Sequence, residues 1–185
     1  MQILLPAMGW ASIIAQEPIF WYTLHMSKSQ AEQFASIGPA KALAMGCYGE
    51  DLAAYCYVQL SEKAERDCDR KEFKEMVAEE QTHRAWLQAL LDKHYPGSDF
   101  VLTPDEKQMV ESGSRFLNIT NRAAFEDAVR RVVVSEEKTA HFYREMAPHI
   151  DQAEVKSMFE ELAKEGVEHH RRLLQIAAAN DISVP

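Results

Sequence analysis

Two acidic residues stand where solvent should not reach. Glu50 lies in the run CYGEDLAAYCYVQL and Glu136 in VVVSEEKTAHFY. Residues four and seven apart share one helix face, so Ala54 and Tyr57 extend the stripe that begins at Glu50, and that stripe faces the core. An ionised carboxylate on an apolar face costs several kcal/mol unless it is paired or metal-bound. Few Lys or Arg lie inside these helices to act as partners. A second signal is AEEQTHRAWL, in which Glu80 and His83 form Glu-x-x-His and set a carboxylate and an imidazole side by side one turn apart. A lone Glu-x-x-His is common in acidic helices. Opposite a buried glutamate, and with the hairpin repeated, it becomes the donor pattern of two-metal carboxylate bundles. Such donors favour iron or manganese over zinc, whose sites use fewer ligands in tetrahedral array, often with cysteine.

The duplication is visible directly. Glu50 and Glu136 are 86 residues apart (136 − 50 = 86). The same offset places Ala54 on Ala140, Tyr57 on Tyr143, Phe73 on Phe159, Glu75 on Glu161, Glu79 on Glu165, His83 on His169 and Leu87 on Leu173. Amphipathic periodicity explains the leucines, but not Glu, Tyr and His matching together at one offset. Each half therefore reads as a helical hairpin of one design.

Apolar residues recur at three- and four-residue spacing along most of the chain, and no stretch alternates with period two, so the fold is all-α. Four long helices are predicted: about Pro39 to Lys63, Asp69 to His94, Asn121 to Met146, and Asp151 to Asn180. Tyr95-Pro96-Gly97 and Pro148 supply stops. Asp151 with Glu154 reads as a capping-box pair, and Thr103-Pro104-Asp105-Glu106 as the start of a short helix in the long connection. Short, long and short links describe two antiparallel hairpins joined by one crossover, a four-helix bundle.

The chain has 185 residues, enough for one domain with an appendage, and is 46% hydrophobic and 26% charged. Its net charge of −9 argues against a nucleic-acid-binding surface, which needs clustered Lys and Arg. Its three cysteines, Cys47, Cys56 and Cys68, form no CxxC pair, which excludes a rubredoxin-type iron site and suits a reducing cytoplasm. Residues 1–26 form an apolar segment ahead of the bundle at 27–185. Pro6, Gln16, Glu17 and Pro18 interrupt that segment too often for a membrane span, and it lacks a signal peptide's basic start. It reads either as an extra helix docked on the bundle or a partner, or as a leader ahead of a start at Met26. A genuine apolar segment would favour a homodimer.

Between about Ala42 and Leu174 the chain resembles the rubrerythrin-like branch of the ferritin-like superfamily. The resemblance is carried by Glu50-DLAAYC-Tyr57, Glu80-QT-His83, Glu136-EKTAHF-Tyr143 and the run ELAKEGVEHH. It implies a ferritin-like bundle with two iron ions, manganese being an alternative. Glu50 and Glu136 would be ligands from single helices, Glu80 would bridge, and His83 and His169 would each cap one metal. It also implies reduction of hydrogen peroxide or dioxygen, with electrons from an external electron-transfer protein because the chain has no rubredoxin domain of its own. The same scaffold also allows a di-iron oxygenase acting on an organic or modified-nucleoside substrate, or a metal-binding bundle with a degenerate site and no activity.

One departure bears on this. The partner of His169 should stand at position 166, which is glycine. Three carboxylates leave two divalent ions with a buried positive excess. The expectation drawn is that Glu165 takes the role and that Gly166 permits a π-bulge to turn it inward. Tyr57 and Tyr143 are candidates for donating hydrogen bonds to the ligands or relaying electrons, with at least one expected to be core filler. Met76, Trp86 and Met158 fit apolar stripes and are expected in the core, and His170, about 100° from His169, toward solvent.

Overall fold

The computed structural model describes residues 28–111 and 117–184. These form six α-helices and one 3-10 turn: α1 (Lys28–Ser36), α2 (Pro39–Lys63), α3 (Asp67–His94), α4 (Pro104–Gln108), α5 (Arg122–Met146), the turn Ala147–His149, and α6 (Ala153–Ala179). No strand occurs among the described residues, and none of their helices is long and apolar enough to cross a membrane. The apolar segment 1–26 lies outside the described residues. Helix α1 was not anticipated; its Phe34 is buried edge-on against His141 and also meets Phe142.

The four long helices follow the predicted boundaries to within about two residues, the usual uncertainty of a helix end. α2 pairs with α3 and α5 with α6 as antiparallel hairpins, while α2–α5 and α3–α6 contacts join the two. The reason is the apolar stripe each helix carries. Leu52, Tyr57 and Leu60 of α2 meet Phe73 and Met76 of α3, Val129, Val132 and Val133 of α5, and Leu173 and Ile176 of α6 in one core. Fully burying each such side chain contributes about 1.5–3 kcal/mol, so packing rather than helix propensity holds the bundle together.

The long crossover is tied down as it passes. Thr103 and Glu106 form the predicted capping box at α4. Lys41 reaches Glu106 at 2.6 Å, and the Tyr48 hydroxyl donates to Glu111 at 2.6 Å. The other predicted box does not form. Gln152, not Asp151, caps α6 without a side-chain bond, because Glu154 is taken by Lys93 at 2.5 Å and His94 at 3.1 Å at the end of α3. That pairing fixes the register of α6 against α3 at one end. At the other end, buried Asn180 donates to buried Asp69 at 2.7 Å.

Two of the residues expected in the core lie elsewhere. Trp86 is 47% exposed, and Met158 is only half-buried, whereas Met76 is fully buried. A stripe's edge residues read like core in a single sequence, but the neighbouring helix covers only its centre.

Candidate metal centre

Each hairpin contributes one glutamate from its first helix and one histidine from its second. Glu50 (α2), Glu80 and His83 (α3), Glu136 (α5) and His169 (α6) are all buried, none more than 6% exposed. They form two groups whose potential ligand atoms lie within 4.8 Å of one another, Glu50–Glu80–His83 and Glu80–Glu136–His169. Glu80 belongs to both. Its Oε2 lies 3.1 Å from His83 Nδ1 and its Oε1 2.8 Å from His169 Nδ1. The remaining contacts are longer, 3.5 Å from His83 Nδ1 to Glu50 and 3.8 Å from His169 Nδ1 to Glu136. The two imidazoles stack with centroids 5.9 Å apart. Glu80 Oε1 is buried and is approached by His169 Nδ1 at 2.8 Å, and three carboxylates buried together need cations or protons to be tolerated. Each group could hold a metal ion, and Glu80 is common to both.

The tyrosines complete the pattern reciprocally. Tyr57 donates to Glu136 and Tyr143 to Glu50, so each hairpin's tyrosine holds the other hairpin's glutamate. Both rings are fully buried. The expectation that one of them is core filler is corrected, since both touch the site. Burial, reinforced by the adjacent carboxylates, pushes both phenols well above their ordinary range, so they remain donors. Gly46, one turn before Glu50, makes room for this: a Cβ there would stand 3.0 Å from the Tyr143 hydroxyl and from Leu87.

The twofold pattern fails at one point. The repeat partner of Glu80 is Gly166, where a Cβ would meet the Ala140 Cβ at 3.0 Å. α6 is continuous α-helix through this position, with no π segment. Glu165 accordingly remains on the flank of α6, half-buried and outside both groups. The expected π-bulge and inward turn of Glu165 are thus corrected. The regular helix is retained because Gly166 lets α6 approach α5 closely at Ala140. Glu165→Ala is expected to leave the number of bound metal ions unchanged, as metal analysis of the purified variant would read.

Sequence reasoning missed Glu79. Its Oε2 lies 3.1 Å from His169 Nε2 and accepts from Arg172 Nη1 at 2.5 Å. The signal was the repeat itself, which paired Glu79 with Glu165 but could not show which of them faced a histidine across the bundle. The outer histidines are ordinary. His141 sits against Phe34 and Arg144, and His170 is half-buried rather than solvent-facing.

Without a cation, protons hold the cluster together. Burial, with Glu80 beside it, raises Glu50 well above the usual carboxylate range. Burial likewise raises Glu136 to about 7. Burial alone would lower both imidazoles, but the glutamates outweigh it and lift His83 to about 10 and His169 to about 9. Burial would also raise Glu80, but hydrogen bonds from Glu50 and the two imidazoles outweigh it and hold Glu80 low. A metal ion must displace the imidazole protons, so affinity should rise with pH up to about pH 9. With an imidazole proton released per ion, and carboxyl protons from Glu50 and Glu136 besides, the expected slope is at least about tenfold per pH unit for each ion. Calorimetric titration at pH 7 in buffers of different ionisation enthalpy should count at least two protons released per pair of ions, and a pH-independent affinity would contradict this electrostatic picture.

Comparison with known proteins bears on the first hairpin and on the fold. The Rubrerythrin family model matches residues 41–122, which take in nearly all of α2, α3 and the crossover with α4. No curated protein matches the chain. Among solved structures, a hypothetical protein from Pyrococcus furiosus is similar with a TM-score of 0.71 at 21% identity, over 81% of this chain and 94% of that one. At that identity the likeness is one of fold.

Proposed function

Because this chain is a rubrerythrin-like member of the ferritin-like superfamily, we propose that it is a metal-binding oxidoreductase with two iron ions, reducing hydrogen peroxide or dioxygen with electrons from an external donor. One observation carries the reading: Glu80 divides its two oxygens between His83 and His169, at the junction of the two buried groups. Glu50 and His83 would hold one ion, Glu136 and His169 the other, and Glu80 both. A diferrous pair supplies two electrons, which with two protons convert one hydrogen peroxide to two water molecules.

The chain's own residues set the conditions. Tyr57 and Tyr143 hold Glu136 and Glu50 by donating hydrogen bonds from across the bundle, which fixes ligand orientation as outer hydrogen bonds do at metal sites. Phe73, Leu87, Phe159 and Leu173 are fully buried and keep bulk water from the helix interior.

The test is anaerobic. Iron-loaded protein is reduced, mixed with one equivalent of hydrogen peroxide, and followed by its electronic spectrum. Rapid oxidation with one peroxide consumed per pair of irons is expected. Iron that binds but is no faster to oxidise than free ferrous ion would leave a metal-binding bundle without this activity.

A further inference from the structure

The two halves of the centre are not equivalent, and the difference lies outside the five central residues. An imidazole that binds a metal through one ring nitrogen leaves the other to be oriented from behind. A carboxylate on that outer N–H fixes the tautomer, holds the ring plane and raises the basicity of the inner nitrogen.

His169 has such a carboxylate. Its Nδ1 faces Glu80, and its Nε2 lies 3.1 Å from Glu79 Oε2. Glu79 is held in turn: Arg172 Nη1 donates to it at 2.5 Å, while Arg172 Nε donates to Glu72 at 2.5 Å. The arginine side chain is only 12% exposed, so the clamp is packed against the bundle. His83 has no equivalent. The repeat partner of Glu79 is Glu165, and no hydrogen bond or ion pair joins Glu165 to His83 among the described residues. The repeat partner of Arg172 is Trp86, which is 47% exposed and lies against the His83 ring at 5.8 Å. One imidazole is thus braced by a clamped carboxylate and the other by a half-exposed indole.

The asymmetry coincides with the missing carboxylate. Gly166 stands one turn before His169, where a side chain's Cβ would be crowded to 3.0 Å from the Ala140 Cβ. Glu79 brings negative charge to the same half from a different helix, through the imidazole and not by touching the ion.

We propose that Glu79, clamped by Arg172, is a positioning residue for His169, and that it makes the Glu80–Glu136–His169 group the tighter of the two metal sites and the first to fill. The Glu50–Glu80–His83 group binds second and more weakly. This inference rests on the two-ion reading above and specifies how that site is loaded.

Cobalt(II) titration of the metal-free protein, followed by calorimetry and visible absorption, tests it without recourse to activity. The wild type should show two unequal phases, the tighter lost in His169→Ala and the weaker in His83→Ala. Glu79→Ala should weaken the tighter phase by about 10–100-fold and leave the weaker within about twofold. Glu79→Gln keeps an acceptor of the same shape without the charge, so it should lose less than Glu79→Ala and serves if the alanine variant folds poorly. Two phases in the wild type with the tighter phase unmoved in both Glu79 variants would overturn the inference and leave the two-ion reading standing. So would assignment of the tighter phase to His83. Absence of a second ion in the wild type would overturn the two-ion reading itself, and this inference with it.

Discussion

Glu80→Ala is expected to abolish binding of both metal ions, whereas Glu50→Ala or Glu136→Ala should each lose one. The difference follows from sharing. Glu50 appears in one buried group and Glu136 in the other, but Glu80 appears in both, with one oxygen toward each imidazole. Iron per chain after loading and desalting would read two for the wild type, about one for the single-group variants and none for Glu80→Ala. The same substitution should weaken the metal-free protein, because an ionised carboxylate that is 2% exposed would no longer face the two imidazoles. Breaking a buried pair by removing one partner costs about 3–5 kcal/mol. The sign with pH follows from the two kinds of group. Glu80 lies below its ordinary range, so its share of the stability is present above about pH 4.5 and is lost on acidification. The imidazoles lie above theirs, so their share is complete below about pH 6.5 and is lost as pH rises through about 9 and about 10. The difference between wild type and variant should therefore be largest near pH 5–6 and narrow toward pH 10. Urea unfolding at several pH values measures it.

Gly166→Glu is expected to destabilise the protein although it restores the missing carboxylate to the sequence pattern. Its Cβ would stand 3.0 Å from the Cβ, 3.4 Å from the Cα and 3.5 Å from the N of Ala140. Only the first is tight, but that Cβ is fixed to its backbone, so α5 and α6 must part by a few tenths of an ångström. Overpacking of this kind costs about 1–3 kcal/mol, of which replacing a mid-helix glycine returns about 0.5 kcal/mol, and at this chain length each kcal/mol lowers the melting temperature by about 2–4 °C. Ala140→Gly removes the nearest atom. Alone it should destabilise by about 1 kcal/mol through helix propensity, but combined with Gly166→Glu it should recover part of the loss. The two changes are then non-additive in the favourable direction, as residues in contact are. Additive losses in a thermal melt would show that the α5–α6 approach is not what excludes a side chain at 166.

Much of this was legible from spacing. Glu50, Ala54 and Tyr57 fall on one face because a helix repeats every 3.6 residues, and the match at 86 residues identified Glu136, Ala140 and Tyr143 as their counterparts and His169 as that of His83. Pro and Gly placed the helix ends. Spacing on one helix carries no information about the axial offset between helices. Glu79 against His169, Arg172 against Glu79, and the tyrosine–glutamate exchange between hairpins all depend on that offset. So does Glu154, which the sequence pattern assigned to a cap and the fold gives to Lys93 and His94. Gly166 was read as freedom to bulge. In the structure it allows close contact, a distinction that only the position of Ala140 decides.

The central claim is that two metal ions sit on either side of Glu80 between the helices, and anomalous diffraction from crystals of the iron-loaded protein tests it most directly. Two iron peaks about 3.5–4 Å apart are predicted, one against Glu50 and His83, the other against Glu136 and His169, with Glu80 touching both. A single peak, or none among these residues in iron-saturated crystals, would contradict it.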